Sequence, residues 1–430
     1  MFVYGKIISQ KNPSLFFFII IHVVFYLFCT PARAGEKKIE ALGGDITFKG
    51  NVGINYKWYL QKPETKRSYN LAGTGEVEAT YEKDDFFAKV LIAGLYDTHE
   101  EERNFLRANE AYLRYDFQEQ EANVTAGRQI RFWGALEVYN PVDIINTQDL
   151  AYDPFNIYKI GANLISFGKY FENSGIELIG KFFEQDQPFP GPQSPYFIFP
   201  AFLVYNENII TEESDARPTV YLKYSGSTDT KYPLDYAVVL SNGYDKQRLI
   251  TLTGPNTLQQ NAYIASKIMT FDTVVIDATL LKLEASYTDI KDNTVLSDYY
   301  QLGAGIEHTL EQIYRGWDLG LITEYYLYRI TDKSKFDDLR LFQVFQNDLF
   351  LGFRLTFNDA GSSEIVGGGI IDMEYRDEMS LYAKFRTRIF DKFIIEADIR
   401  KIIPNNEDAP TLFNLMDDHL RLTFNFYYYF

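Results

Sequence analysis

The chain has 430 residues, a formal charge of −17, 33 Tyr and 35 Phe against 3 Trp, and a single Cys. The acidic balance argues against nucleic acid as a partner, and one cysteine excludes an intrachain disulfide. No apolar run after residue 34 is long enough for a spanning helix, but a β-barrel can hide in this composition, because only every second residue of its strands faces lipid.

Residues 1–34 carry Lys6 and Lys11, an apolar run from Ser14 to Cys29, and Ala32-Arg33-Ala34. This is the pattern of a secretory signal peptide with an A-x-A cleavage site. The apolar run is shorter than the ~20 residues of a spanning helix. Phe28 stands before Cys29 where a lipoprotein signal needs a small residue. Cleavage would leave residues 35–430 as a single barrel domain. Losing Lys6, Lys11 and Arg33, with no acid among residues 1–34, takes the charge from −17 to −20.

Period-two alternation follows almost at once and recurs along the chain. Ile46, Phe48, Val52, Ile54, Tyr56 and Trp58 alternate with Thr47, Lys49, Asn51, Asn55 and Lys57. Leu113, Tyr115 and Phe117 alternate with Tyr112, Arg114 and Asp116. Val220 to Tyr224, Leu234 to Leu240, and Leu281 to Tyr287 with Lys282 and Glu284 on the opposite parity repeat it. Leu349 to Phe357 sit opposite Gly352, Arg354 and Thr356; Leu381, Ala383 and Phe385 opposite Lys384, Arg386 and Arg388; Ile395, Ala397 and Ile399 opposite Glu396, Asp398 and Arg400. Turn signals such as Gly226-Ser227 and Gly361-Ser362-Ser363 separate the strands.

Two long connections break the meander. The first runs from about Phe132 to Ile160 through Trp133-Gly134, Asn140-Pro141 and Asp153-Pro154. The second, 185–217, interleaves Pro188, Pro190, Pro192, Pro195 and Pro200 with Phe189, Tyr196, Phe197 and Phe199, then carries Glu207, Glu212, Glu213 and Asp215. Loops of this length are usually functional or disordered. The second is too apolar to float in solvent, so it folds into the pore as a constriction or packs on the rim as a lid; the pore is the preferred reading.

The chain ends Leu420-Arg-Leu-Thr-Phe-Asn-Phe-Tyr-Tyr-Tyr-Phe430, with apolar or aromatic residues at every even position and Arg421, Thr423 and Asn425 between them. Its length matches the roughly 9–11 residues of a tilted membrane strand. It resembles the closing strand of Gram-negative outer-membrane β-barrels, and the resemblance implies that Phe426, Tyr428 and Phe430 are read by the barrel assembly machinery. At roughly 22 residues per strand and connection, the fold expected is an all-β, antiparallel up-and-down transmembrane barrel of about 18 strands, with 16 next, integral to the outer membrane and in contact with its lipid.

Gly127-Arg128-Gln129, Trp133-Gly134 and Asn140-Pro141-x-Asp143 are similar to a segment of porin-like outer-membrane proteins distantly related to alginate-export barrels. Gln346-Asn347-Asp348, Phe350-x-Gly352-x-Arg354, Asn358-Asp359, Arg386-x-Arg388 and Asp417-Asp418 extend the similarity to the C-terminal third. The resemblance implies a TonB-independent channel and places Arg128, rather than Arg131 of opposite parity, inside. The mixture of acids with Arg and Lys departs from the arginine-rich lumen of alginate exporters.

Lys384, Arg386 and Arg388 beside Glu396, Asp398 and Arg400 form the clearest inward ladder, with Arg114 and Arg354 as further candidates. Such charges either set ion selectivity in a narrow passage or pair across neighbouring strands and stiffen the wall. Beyond the signal the only histidines are His99, His308 and His419, none beside a serine in a nucleophile context, so no enzyme, cofactor or metal site is expected. The acidic run around His99 reads as a solvated loop tip. A strand beginning near Ile46 leaves no room for the plug of a TonB-dependent receptor. The functional expectation is a porin-like channel for small solutes. The alternatives are a surface receptor or adhesin, and a plug-free uptake receptor, for a siderophore for instance.

Overall fold

A computed structural model describes residues 37–291, 295–335, 343, 345–407 and 411–430; the expected signal peptide lies outside the described residues. The strands are β1 (Lys37–Ala41), β2 (Gly44–Gln61), β3 (Tyr69–Lys83), β4 (Phe86–Asp97), β5 (Phe105–Phe117), β6 (Ala122–Gln129), β7 (Ala162–Phe171) and β8 (Ser174–Phe182). They continue as β9 (Val204–Thr211), β10 (Thr219–Ser227), β11 (Leu234–Tyr244), β12 (Leu249–Thr253), β13 (Thr257–Ala262), β14 (Ile264–Ile276) and β15 (Thr279–Ile290). The last are β16 (Tyr299–Tyr314), β17 (Trp317–Ile330), β18 (Asn347–Thr356), β19 (Glu364–Asp372), β20 (Met379–Ile389), β21 (Phe393–Ile403) and β22 (His419–Tyr429), preceded by a short helix α1 (Leu412–Met416).

One sheet takes 19 strands. β1 only folds back on the start of β2. The others pair antiparallel in sequence, and β22 closes on β2 from Asn51↔Tyr429 to Gln61↔Leu420, giving a closed barrel of 18 strands. The remaining β9, β12 and β13 form a small sheet within the long loops. At one end the hairpins are tight: Asp84 and Asp277 hold the left-handed conformation (φ 49° and 52°) in two-residue turns. At the other end the connections are long, among them 130–161, 183–218 and 245–263.

The alternation read from the sequence decides which face meets what. On β22, Phe424 and Phe426 are exposed on the outer wall, while Arg421 and Thr423 are buried inside. Ile54 and Trp58 on β2, Leu222 on β10, Leu351 on β18 and Leu381 and Phe385 on β20 likewise point outward. Near the tight turns the outward band ends in aromatic pairs: Tyr115 with Phe117 at 4.8 Å, Tyr314 with Trp317 at 5.3 Å, and Phe393 with Tyr428 at 5.1 Å. A closed barrel with an apolar outer band, an aromatic girdle and a charged interior satisfies the backbone internally and is built to span a bilayer.

The final residue completes the seam. Phe430 and Gly50 exchange two backbone hydrogen bonds of 3.0 Å. A Cβ at residue 50 would lie 2.6 Å from the Glu76 carbonyl oxygen and 2.7 Å from the Phe430 ring, so glycine is required there.

In the long-loop half the lumen is not purely polar. Ile322, Phe350, Ile370 and Ile402 point inward and pack with Leu136, Phe189, Tyr196 and Phe197 of the two long connections. These wall residues break the polar-inside rule because the loops cover them.

Candidate functional site

The first long connection, 130–161, crosses the lumen. Two wall carboxylates receive it. Glu284 on β15 accepts the backbone N–H groups of Ala135 (2.6 Å), Leu136 (3.1 Å) and Val142 (3.4 Å). Glu324 on β17 accepts those of Glu137 (2.7 Å) and Val138 (3.3 Å) and the hydroxyl of Tyr326 (2.5 Å). An inward excursion leaves backbone donors without ladder partners, and carboxylates that accept several N–H groups satisfy them with charge-assisted bonds. Gly134 makes the turn possible: its φ of 145° and the Asn140 side chain occupying the place of a Cβ both demand glycine.

Farther along the same connection, Asp153 reaches the seam of the barrel. Its carboxylate lies 2.9 Å from Lys57 Nζ on β2 and 2.8 Å from Arg421 Nη1 on β22. Arg421 also reaches Asp398 at 3.1 Å and donates to the Tyr196 hydroxyl at 2.7 Å. Arg421 and Lys57 together hold the Asp153 carboxyl far below the ordinary range against the opposing effect of burial.

The second connection is split. Phe189, Tyr196 and Phe197 are buried in the lumen core, with Phe199 packed against it. Glu100 anchors this part, accepting the N–H of Gly191 at 3.3 Å and the amide of Asn70 at 3.1 Å, and burial pushes its carboxyl up. Glu207, Glu212 and Glu213 lie instead on the loop sheet and the rim. Glu212 accepts the N–H of Ile264 at 2.7 Å, Glu213 pairs with Arg217 and with Lys291 at 3.6 Å, and Glu207 is exposed on β9. The carboxylates of Glu212 and Glu213 thus hold loops to the mouth. The run around His99 is not a solvated tip either: Asp97, Glu100 and Arg103 are buried, and Asp97 pairs with Arg103. Depth below the loop cover, which local polarity does not report, makes the difference.

Two cavities lie against these residues. The lower one, about 650 Å³, is lined by charges of both signs, including Arg354, Lys384, Arg386, Glu396 and Asp398. The upper one, about 380 Å³, is lined largely by apolar side chains of the loops and α1, among them Phe155, Ile198, Phe413 and Met416. Glu137, Asn156, Ile157, Tyr382 and Arg400 border both, so the cavities approach each other at Arg400.

The structure brings most of the inward ladder to this lower cavity. Glu396 lies 3.1 Å from Lys384 and 3.4 Å from Arg386, while Arg354 reaches Glu137 at 2.6 Å. Cross-strand pairing and cavity lining therefore coexist in the same residues. Arg388 is exposed at the tight-turn end. Arg114, also toward that end, pairs with Asp116 at 2.9 Å beside the Phe87 ring and does not border either cavity. Arg128 stands in register with Asn163, on the parity of the outward Ile165 and Phe167. Arg131 is the one directed inward, reaching Ser166 at 3.1 Å and Glu177 at 3.3 Å. The register runs unbroken through Gly127, so Arg128 shares the parity of the exposed Ala126, against the inward place that the resemblance implied. Phe426, Tyr428 and Phe430 lie along the closing seam.

Glu324 and Asp153 do not stand out in the sequence. The signal available was an acid on lumen parity in mid-strand, which Glu284 and Glu324 share, and an Asp-Pro step in a long connection.

No protein-family model and no curated protein sequence matches the chain. Solved structures similar to it include the outer membrane channel DcaP of Acinetobacter baumannii, at 9% identity over 93% of this chain and 100% of that one, with a TM-score of 0.48. OccK5 (OpdH) of Pseudomonas aeruginosa is 9% identical over 89% and 97%, at 0.46. OprB of Pseudomonas putida is 10% identical over 90% and 94%, at 0.45. Similarity at this level assigns no role to any residue, and the resemblance to alginate exporters gains nothing from it.

Proposed function

We propose that the chain is an integral outer-membrane channel of a Gram-negative cell, TonB-independent, that passes small solutes through a narrowed lumen rather than a wide pore. The observation that carries this reading is the pair of cavities, one charged and one apolar, approaching each other at Arg400 beneath two inward loops. A barrel of 16–18 strands is wide enough for an aqueous channel, and here side chains and loops reduce it to a size that selects. In this reading Phe426, Tyr428 and Phe430 serve assembly, and the surrounding lipid meets the outer apolar band.

Residues 35–430, refolded into a planar bilayer under a salt gradient, should give stable current steps with a non-zero reversal potential. Removing Pro188 to Pro200 should raise single-channel conductance, because Phe189, Tyr196 and Phe197 leave the lumen with it. A folded barrel that passes no current before or after that deletion would favour a surface receptor or adhesin instead.

Lys246 in the 245–263 loop faces the upper cavity. Burial pulls its ammonium down to about 8, against the opposing pull of Asp143. The lowered lysine is charged below that pH and neutral above it, so the cavity loses one positive charge between pH 7 and 9. The reversal potential should move toward cation preference over that interval, and Lys246→Met should flatten the change.

A further inference from the structure

Arg400 on β21 is buried, at 9% exposure. Its cross-strand neighbour Arg421 has the carboxylates of Asp153 and Asp398. Arg400 has no carboxylate within ion-pair distance among the described residues. Its guanidinium lies 4.5 Å from the Phe155 ring and 5.0 Å from the Tyr382 ring. Of its five N–H donors, the only hydrogen bond among the described residues is a 3.4 Å contact from Nη1 to Ser380 Oγ, and Nε has no partner. Arg400 feels Asp153 and Asp398 only beyond ion-pair distance and shares them with Arg421 and Lys57, so three cations face two carboxylates, and the excess buried cation is costly unless an anion completes it.

The surroundings say which kind of anion. Above Arg400 the upper cavity offers Phe155, Ile198, Phe413 and Met416, enough apolar surface for a small hydrocarbon body. Below it the lower cavity is lined by charges already paired with one another. We infer that Arg400 is the recognition point for a small amphipathic carboxylate, whose charged end meets the guanidinium while its apolar body lies in the upper cavity. A planar carboxylate matches the guanidinium fork, and the aromatic lining suits a flat body better than a sugar or a free phosphate. This assignment rests on the channel reading and narrows its solute to a class.

Equilibrium binding separates the two. The mature chain, refolded in detergent micelles, is titrated calorimetrically with benzoate, its uncharged counterpart benzamide, and inorganic phosphate. Benzoate is expected to bind at least about tenfold more tightly than either, the ratio typical of one charge-assisted hydrogen-bonding group. Arg400→Gln should remove the preference for benzoate over benzamide. Phe413→Ala should weaken both ligands while keeping the preference. Arg400→Lys keeps the charge without the planar fork and should weaken benzoate, which provides a reading if the glutamine variant does not fold. Equal affinity for benzoate and benzamide, phosphate binding as tight as benzoate, or unchanged affinity in either Arg400 variant would overturn the assignment. Absence of current in the bilayer would count against the channel and leave the binding result standing.

Discussion

Asp153→Asn is expected to destabilise the barrel by about 3–5 kcal/mol, the range for removing one partner of a buried ion pair. The carboxylate is the shared counter-charge of Lys57 on β2 and Arg421 on β22, at 2.9 and 2.8 Å, and all three side chains are at most 4% exposed. An amide in its place can still accept a hydrogen bond but leaves the two cations facing each other across the seam. Asp398 holds Arg421 on one side only, and Lys57 retains just the carbonyl of Tyr152, at 3.0 Å. Denaturant titration of the micelle-refolded protein, followed by the shift between folded and unfolded forms in gel mobility, measures the loss; a change under about 1 kcal/mol would place the pair among surface-like contacts. The pH dependence has a definite sign. A carboxyl whose folded-state pKa is depressed contributes its stability above the unfolded value, about 4, and loses it only as pH falls toward the folded one. Because Asp153 is held far below its usual range, the stability gap between wild-type protein and Asp153→Asn should be nearly as wide at pH 4 as at pH 7.

The second large effect concerns conductance rather than stability. Glu284→Ala with Glu324→Ala should free the stretch 135–142 from the far wall and raise single-channel conductance severalfold. Together the two carboxylates accept the N–H groups of Ala135, Leu136, Glu137, Val138 and Val142. Each buried donor left unpaired costs about 1–3 kcal/mol, and an excursion carrying five of them has every reason to seek water. The contacts that remain include Trp133–Tyr221 at 5.6 Å, Glu137–Arg354 at 2.6 Å, and Tyr139, which donates its N–H to the Tyr326 hydroxyl at 3.2 Å and accepts from Gln301 at 3.0 Å. Each single variant should have a smaller effect than the double, since either carboxylate alone keeps one side of the excursion docked. Unchanged current in the double variant would mean that the apolar contacts of Leu136 with Tyr326 and Phe350 hold the segment by themselves.

Period-two alternation made the barrel readable, because one face of each strand meets lipid or an aromatic girdle and the other meets charge. The rule survives from Ile54 to Trp58 and from Leu420 to Phe430. It fails at Ile322, Phe350 and Ile370, which face inward under the loops, where no strand-local pattern can distinguish a lumen core from a lipid face. The ladder from Lys384 to Arg400 was legible for the same reason as the strands. Arg128 was not, since its inward place came from the resemblance alone, while the register sets it on the parity of Ala126 and Ile165. The inward aromatic loop announced itself by composition in Phe189, Tyr196 and Phe197. Its acids Glu207, Glu212 and Glu213 did not declare whether they faced a pore or a rim, because that depends on the loop's path and on partners such as Ile264 and Lys291, far away in sequence.

The seam between Gly50 and Phe430 has a consequence in time. β2 precedes the other strands of the closed wall, yet its partner β22 follows all of them. Until Phe430 is available the wall stands open, with the donors and acceptors of β2 from Asn51 onward unpaired along an edge that could capture any passing strand. The entropy of joining such distant segments grows only slowly with their separation; the greater hazard is the waiting period, during which long-range β pairing is slow and exposed. A polypeptide built this way depends on being kept apart from its neighbours between synthesis and closure, and losing Phe430 removes the contact that ends the wait.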